Sequence, residues 1–155
     1  MLIYEKGNLL SGKYNVICHQ VNCKGVMGAG LAKQIRNKYP FVYFDYTRAL
    51  QYENAGLGHI VVSHVDDGNC KIIISMFGQD GYGRDKKYTD YNAFKECLKT
   101  LKKTLDAYST SFISSVAFPE NIGCGLAGGN WNIILPMIQE FADNIKQDVY
   151  IVRFA

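Results

Sequence analysis

Two glycine-rich stretches carry most of the chemistry this chain offers: Asn22-Cys23-Lys24-Gly25-Val26-Met27-Gly28-Ala29-Gly30 and Asn121-Ile122-Gly123-Cys124-Gly125-Leu126-Ala127-Gly128-Gly129-Asn130. Each follows a short apolar run and leads into a helical pattern. A strand that empties into a glycine loop and then a helix brings bare backbone N–H groups and the positive end of a helix to one spot, where a phosphate can sit. Two such spots suit a diphosphate. Neither stretch holds an acidic residue; Glu120 lies just outside the second, and Lys24 is the only charge within either. The bland alternative is that the glycines only make tight turns, and it weakens because the loop recurs in the same strand-to-helix context.

Other reactive side chains fit less well. Cys18, Cys23, Cys70, Cys97 and Cys124 are an odd count without a CxxC pair, and there are only three histidines, which argues against a disulfide framework and a structural zinc site. Cys23 and Cys124 lie in the loops, but no His or basic neighbour flanks Cys124 to lower its pKa, so small residues beside a tight turn is the preferred reading over a nucleophile. His59 and His64 read as strand residues, because no acidic or thiol partner stands at ligand spacing. The stretch Gly78-Gln79-Asp80-Gly81-Tyr82-Gly83-Arg84-Asp85 is a third glycine-rich loop with an aromatic ring and a guanidinium. It reads either as a flap over the site or as an ordinary surface loop.

These loops need strands and helices to hold them. Leu2 to Tyr4 reads as a strand running into a turn at Lys6 to Leu10, and Tyr14 to Gln20 as a second strand that delivers His19, Gln20 and Asn22 to the first glycine loop. Polar residues gathered at a strand's carboxyl end are functional candidates in an open α/β sheet. The pattern predicts a helix over 29–39 stopped by Pro40, and another over 41–52 with Phe41, Phe44 and Leu50 inward. His59 to Val65 and Lys71 to Phe77 read as a hairpin about Asp66-Asp67-Gly68-Asn69. Thr89 is the expected cap of a long helix with Tyr91, Phe94, Leu98, Leu101, Leu105 and Tyr108 on its apolar face. Phe112 to Phe118 reads as a buried strand, Asn130 as the cap of a helix that Pro136 should kink or delay, and Asp148 to Phe154 as the last strand. This order predicts an α/β fold, a three-layer α/β/α sandwich with a central mixed β-sheet.

With 155 residues and 48% hydrophobic composition, one domain over 1–155 with an ordinary core is expected. No run is long and apolar enough to span a bilayer, and the N-terminal residues lack a signal-peptide plan, so a soluble cytoplasmic protein is expected, a monomer without membrane partner, metal or cofactor. The net charge of +3 is modest, and Lys95, Lys99, Lys102 and Lys103 read as a solvated helix face. Nucleic-acid binding is therefore a minor alternative.

At this level the chain resembles a macro domain, the ADP-ribose-binding α/β family. The matching pieces are Lys6-Gly7-Asn8, His19-Gln20-Val21-Asn22-Cys23 through Gly28-Ala29-Gly30-Leu31-Ala32, and Ile122-Gly123-Cys124-Gly125-Leu126-Ala127-Gly128-Gly129-Asn130-Trp131, spread over essentially the whole chain. The branch it most resembles includes ADP-ribose 1''-phosphate phosphatases and the terminal ADP-ribose protein glycohydrolase. The resemblance implies that Asn8 and Leu9 lie near adenine, that Asn22 with Gly28, Ala29, Gly30 and Leu31 holds the distal ribose, and that the loop Ile122, Gly123, Cys124, Gly125, Leu126, Ala127, Gly128 wraps the diphosphate. Gln20 joins the ligand set, and Phe154 stacks on adenine. The glycohydrolase's lysine and aspartate fall where this chain has Ser75-Met76-Phe77 and Ala127, so that mechanism lacks its groups here. His19 matches a histidine of the phosphatase branch. An imidazole with the ordinary pKa of ~6.5 exchanges protons at cell pH, which makes His19 the candidate acid/base; the alternative is a histidine that only hydrogen-bonds beside the ligand. The implied activity is hydrolysis of ADP-ribose 1''-phosphate, with a non-catalytic reader of ADP-ribose, or removal of ADP-ribose from a modified protein or nucleic acid, as alternatives.

Overall fold

The computed structural model describes residues 1–155. The elements, in order, are β1 (Leu2–Gly7), β2 (Val16–Val21), α1 (Gly30–Lys38), α2 (Pro40–Tyr52), β3 (Ile60–Asp67), β4 (Cys70–Phe77), α3 (Tyr91–Asp106), β5 (Ser115–Pro119), α4 (Trp131–Asp143) and β6 (Asp148–Phe154). One six-stranded sheet runs in the order β1-β6-β5-β2-β4-β3. Only β3 is antiparallel to its neighbour; every other pairing is parallel. The expected mixed sheet between two helical layers is what forms. No helix is long and apolar enough to cross a membrane.

Strand alternation divides the core between the two faces. Val16 and Cys18 of β2, with Ile72, Ile74 and Met76 of β4, pack under α3 and α4. Ile17 and Val21, with Ile73 and Phe77, pack under α1 and α2. Because both faces are covered, β2 and β4 read as near-continuous apolar runs. Among their buried positions the exceptions are His19 and Ser75, register partners on the α1/α2 side of neighbouring strands.

The structure corrects several local expectations. In α2 the buried face is Val42, Tyr46 and Ala49, while Phe41 and Phe44 are 40% and 64% exposed. Apolar residues surround this helix, so hydrophobicity alone leaves its rotation open; the hydrogen bonds of Tyr46 described below fit the observed one. Pro40 begins α2 instead of only ending α1, its missing N–H costing nothing in a first turn. The cap of α3 is Asp90, whose carboxylate accepts from Ala93 N at 2.9 Å. Asn130 does cap α4, accepting from Asn132 N at 2.9 Å, and the helix begins at Trp131 without delay from Pro136. β1 continues through Gly7, and the turn follows it, with Asn8 Oδ1 accepting from Leu10 N at 2.8 Å. β2 and β5 start later than the apolar runs suggest: Tyr14 leaves the strand to bond Glu5, and Phe112 is half exposed before Ser115.

Candidate functional site

Both glycine loops open from the carboxyl ends of adjacent strands, β2 and β5, onto one cavity of about 580 Å³. That lies within the range of small-molecule sites, roughly 300–1,000 Å³. Of the sequence candidates, the wall contains His19, Gln20, Asn22, Gly28, Ala29, Gly30, Leu31, Ile122, Gly123, Gly125, Leu126 and Ala127. The third loop adds Gln79, Tyr82, Gly83 and Arg84, so it covers the site as a flap would.

Asn8, Leu9, Cys124, Gly128 and Phe154 are not on the wall. Leu9 is in the core, and Asn8 is committed to its own turn. Cys124 Sγ faces Ile122 O at 3.3 Å, and the open side of Gly128 faces Lys87. Phe154 is 79% exposed at the end of β6, beside Gly7 of β1, so Asn8 and Phe154 lie at one corner of the sheet.

The first loop is fastened from below. Asn22 Oδ1 accepts from Lys24 N at 2.9 Å and from Tyr46 Oη at 2.8 Å, and Asn22 Nδ2 donates to Val26 O at 2.8 Å. Tyr46 Oη also accepts from Gly25 N at 3.0 Å, and Tyr43 Oη donates to Gly25 O at 3.0 Å. Tyr46 is fully buried, and burial pushes its pKa up to about 12. Thus Asn22 shapes the loop with most of its hydrogen-bonding capacity. The two tyrosines carry no sequence signal beyond those of an aromatic helix.

Beyond this turn the chain enters α1 with Ala29 as N-cap, and no side chain caps it. The first helical amides, those of Gly30, Leu31 and Ala32, have no partner within the chain, and all three residues lie on the cavity wall. No acidic residue occupies the first turn. An uncapped helix start is a ready site for an anion.

The second loop is hung from its neighbours. Thr89 Oγ1 donates to Gly123 O at 2.6 Å and accepts from Gln20 Nε2 at 3.0 Å. Gln20 lies between two glycines: a Cβ at Gly78 or Gly123 would meet its Oε1 at 2.4 or 2.8 Å. Gly129 is equally constrained, since a Cβ there would stand 2.5 Å from Gly123 O. The amides of Gly123, Gly125, Leu126 and Ala127 donate no hydrogen bond within the chain. Here the anion-binding capacity lies in the loop itself, because Asn130 already caps α4.

His19 is 1% exposed, with Nε2 2.8 Å from Ser75 Oγ and Nδ1 without a partner. Burial pulls its pKa down from the ordinary 6.5 to about 4. At neutral pH the imidazole is uncharged, so it has no imidazolium proton to give; accepting a proton or donating a neutral N–H remains open to it. Neither loop thiol is poised as a nucleophile: burial raises Cys23, and pushes Cys124 to about 11. Glu120, also on the wall, is held by Arg153 through contacts of 2.9 and 3.2 Å.

Against known proteins, the family model described as Macro domain matches residues 18–138. ADP-ribose 1''-phosphate phosphatase of Saccharomyces cerevisiae is 25% identical over 172 residues, which span 96% of this chain and 97% of that protein. DNA ADP-ribosyl glycohydrolase of Mycobacterium tuberculosis is 30% identical over 134 residues, 84% of this chain but only 36% of the longer relative. Among solved structures, the macrodomain of Thermus aquaticus DarG superposes with a TM-score of 0.82 at 25% identity, covering 98% of this chain and 97% of that one. Thermosipho africanus DarTG in complex with ADP-ribose shares the fold at a TM-score of 0.79 and 19% identity, covering 99% of this chain and 42% of that one.

Proposed function

The chain belongs to the macro domain family, and from that premise we propose that it binds ADP-ribose between its two glycine loops and hydrolyses ADP-ribose 1''-phosphate. The observation that carries this reading is the pair of unpartnered amide sets on one cavity: Gly123 with Gly125 to Ala127, and the uncapped start of α1. The loop amides hold the diphosphate; Gly28 to Leu31 and the loop shaped by Asn22 hold the distal ribose. Adenine then extends toward the sheet corner that holds Asn8 and Phe154.

In the reaction, water attacks the phosphorus, the bond from phosphorus to the ribose oxygen breaks, and ADP-ribose and inorganic phosphate leave. In the tautomer whose Nε2–H donates to Ser75, His19 Nδ1 is a buried acceptor without a partner, and it takes the proton of the attacking water once bound substrate opens a path to it. The leaving oxygen is protonated from solvent. A second reading, removal of ADP-ribose from nucleic acid, is favoured by the relatives named DNA ADP-ribosyl glycohydrolase. Against it stand Ser75-Met76-Phe77 and Ala127, where the terminal ADP-ribose protein glycohydrolase that the chain resembles has its lysine and its aspartate, respectively.

The test is phosphate release from ADP-ribose 1''-phosphate by wild type and His19→Ala, with ADP-ribose binding followed by calorimetry. Loss of a positioned base should slow release by about a hundredfold or more. Because the folded pKa of His19 is lowered to about 4, the loss of activity that depends on His19 should come toward pH 4 and not near 6.5, after division by the titration of the substrate phosphate near ~6. Binding of ADP-ribose without phosphate release would leave a reader module, and equal rates in His19→Ala would remove His19 from the mechanism.

A further inference from the structure

The third loop is a strap between the two glycine loops. At one end Cys23 N donates to Asp80 O at 2.8 Å, and Gln20 Nε2 donates to Gln79 Oε1 at 2.8 Å. At the other end Tyr88 N and Thr89 N donate to Ala127 O at 2.7 and 3.2 Å. Between these anchors, Tyr82, Gly83 and Arg84 face the cavity. Gly83 has φ +135°, a conformation that favours glycine, and it sits immediately before Arg84.

Charge on the strap and wall is otherwise engaged. Asp80 pairs with Lys24 at 3.5 Å, Asp85 accepts from Tyr88 Oη at 2.6 Å, and Lys86 and Lys87 lie over the rings of Tyr88 and Tyr91. On the wall itself the charged residues are Glu120, bound to Arg153, and Arg84, which makes no ion pair or hydrogen bond. His19 is neutral at pH 7. A phosphate monoester carries nearly two negative charges at that pH, so holding it beside the distal ribose calls for a cation.

We propose that Arg84 is the specificity residue for a phosphate group carried on the distal ribose, gripping it from the strap so that the phosphorylated ligand binds more tightly than ADP-ribose itself. This rests on the reading of the cavity as an ADP-ribose 1''-phosphate site. The strap's first anchor is on the loop assigned to the distal ribose, whereas the diphosphate has the amides of the second loop. A guanidinium offers a bidentate fork to phosphate oxygens, which a lysine does not.

Displacement of a fluorescent ADP-ribose by ADP-ribose 1''-phosphate and by ADP-ribose, read by stopped flow before turnover, tests this on wild type, Arg84→Ala and Arg84→Lys. Wild type should prefer the phosphorylated ligand. Arg84→Ala should lower that preference by about tenfold or more, the scale of a lost charged hydrogen bond, and Arg84→Lys should fall between. Arg84 is exposed, so these variants leave the core untouched. An unchanged preference in Arg84→Ala, or an equal loss for both ligands, overturns the proposal, the second result assigning Arg84 to the diphosphate. Wild type that binds both ligands alike also overturns it, while leaving the ADP-ribose site standing. If wild type binds neither, both the site and the role of Arg84 fall.

Discussion

The first glycine loop is locked from inside the core by Tyr46 and Asn22, and it hands over to a helix with no cap. The second is held through the buried Thr89 hydroxyl, which Gln20 in turn bonds, and it hands over to a helix capped by Asn130. In sequence they are two versions of one motif. In space they divide the work: one contributes a helix start, the other a run of bare loop amides. Matching composition therefore does not imply matching physics, because a cap decides whether the helix start is available to a ligand.

The strongest way to break this comparison is a charge in the second loop. At Gly125 a Cβ meets no atom within 4 Å, so Gly125→Glu should fold normally. Its carboxylate would oppose the diphosphate at short range, and ADP-ribose affinity should fall by about a hundredfold or more. Calorimetry together with a melting curve separates binding from folding, and affinity within a few-fold of wild type would put the ligand elsewhere.

A smaller effect separates the two supports. Tyr46→Phe removes a buried hydroxyl serving Asn22 and Gly25, and should cost about 1–3 kcal/mol in denaturant unfolding while weakening ADP-ribose binding. Thr89→Val, which loses the bond to Gly123 O at 2.6 Å, should cost about 1 kcal/mol and weaken binding through the second loop. Equal stability of Tyr46→Phe and wild type would show that the first loop does not depend on its buried anchor.

The smallest and most selective comparison exchanges the caps. Asn130→Ala should lower stability by about 1 kcal/mol and leave ADP-ribose affinity nearly unchanged, since α4 starts away from the cavity wall. Ala29→Ser should instead raise stability by up to about 1 kcal/mol and weaken binding, because its hydroxyl competes for the amides at the start of α1. Weaker binding in Asn130→Ala but not in Ala29→Ser would reverse the division of labour between the helices.

Much of the fold was legible in the sequence because its signals are local. Apolar runs marked β2, β4, β5 and β6, glycines followed β2 and β5, and the spacing from Phe94 to Leu105 could bury only one helical face. These patterns also located both loops and the cavity they share. Long-range pairing decided the rest. Tyr46 turns inward and Phe44 outward because Asn22 and Gly25, both more than twenty positions earlier in the chain, lie within reach of one hydroxyl. Thr89 leaves the cap to Asp90, its hydroxyl engaged with Gly123 of the loop after β5. His19 is an ordinary imidazole in sequence and becomes one with a pKa of about 4 only when the sheet and α1/α2 layer close around it. Desolvation and cross-chain hydrogen bonds depend on which atoms meet after folding, and residue spacing does not encode that directly.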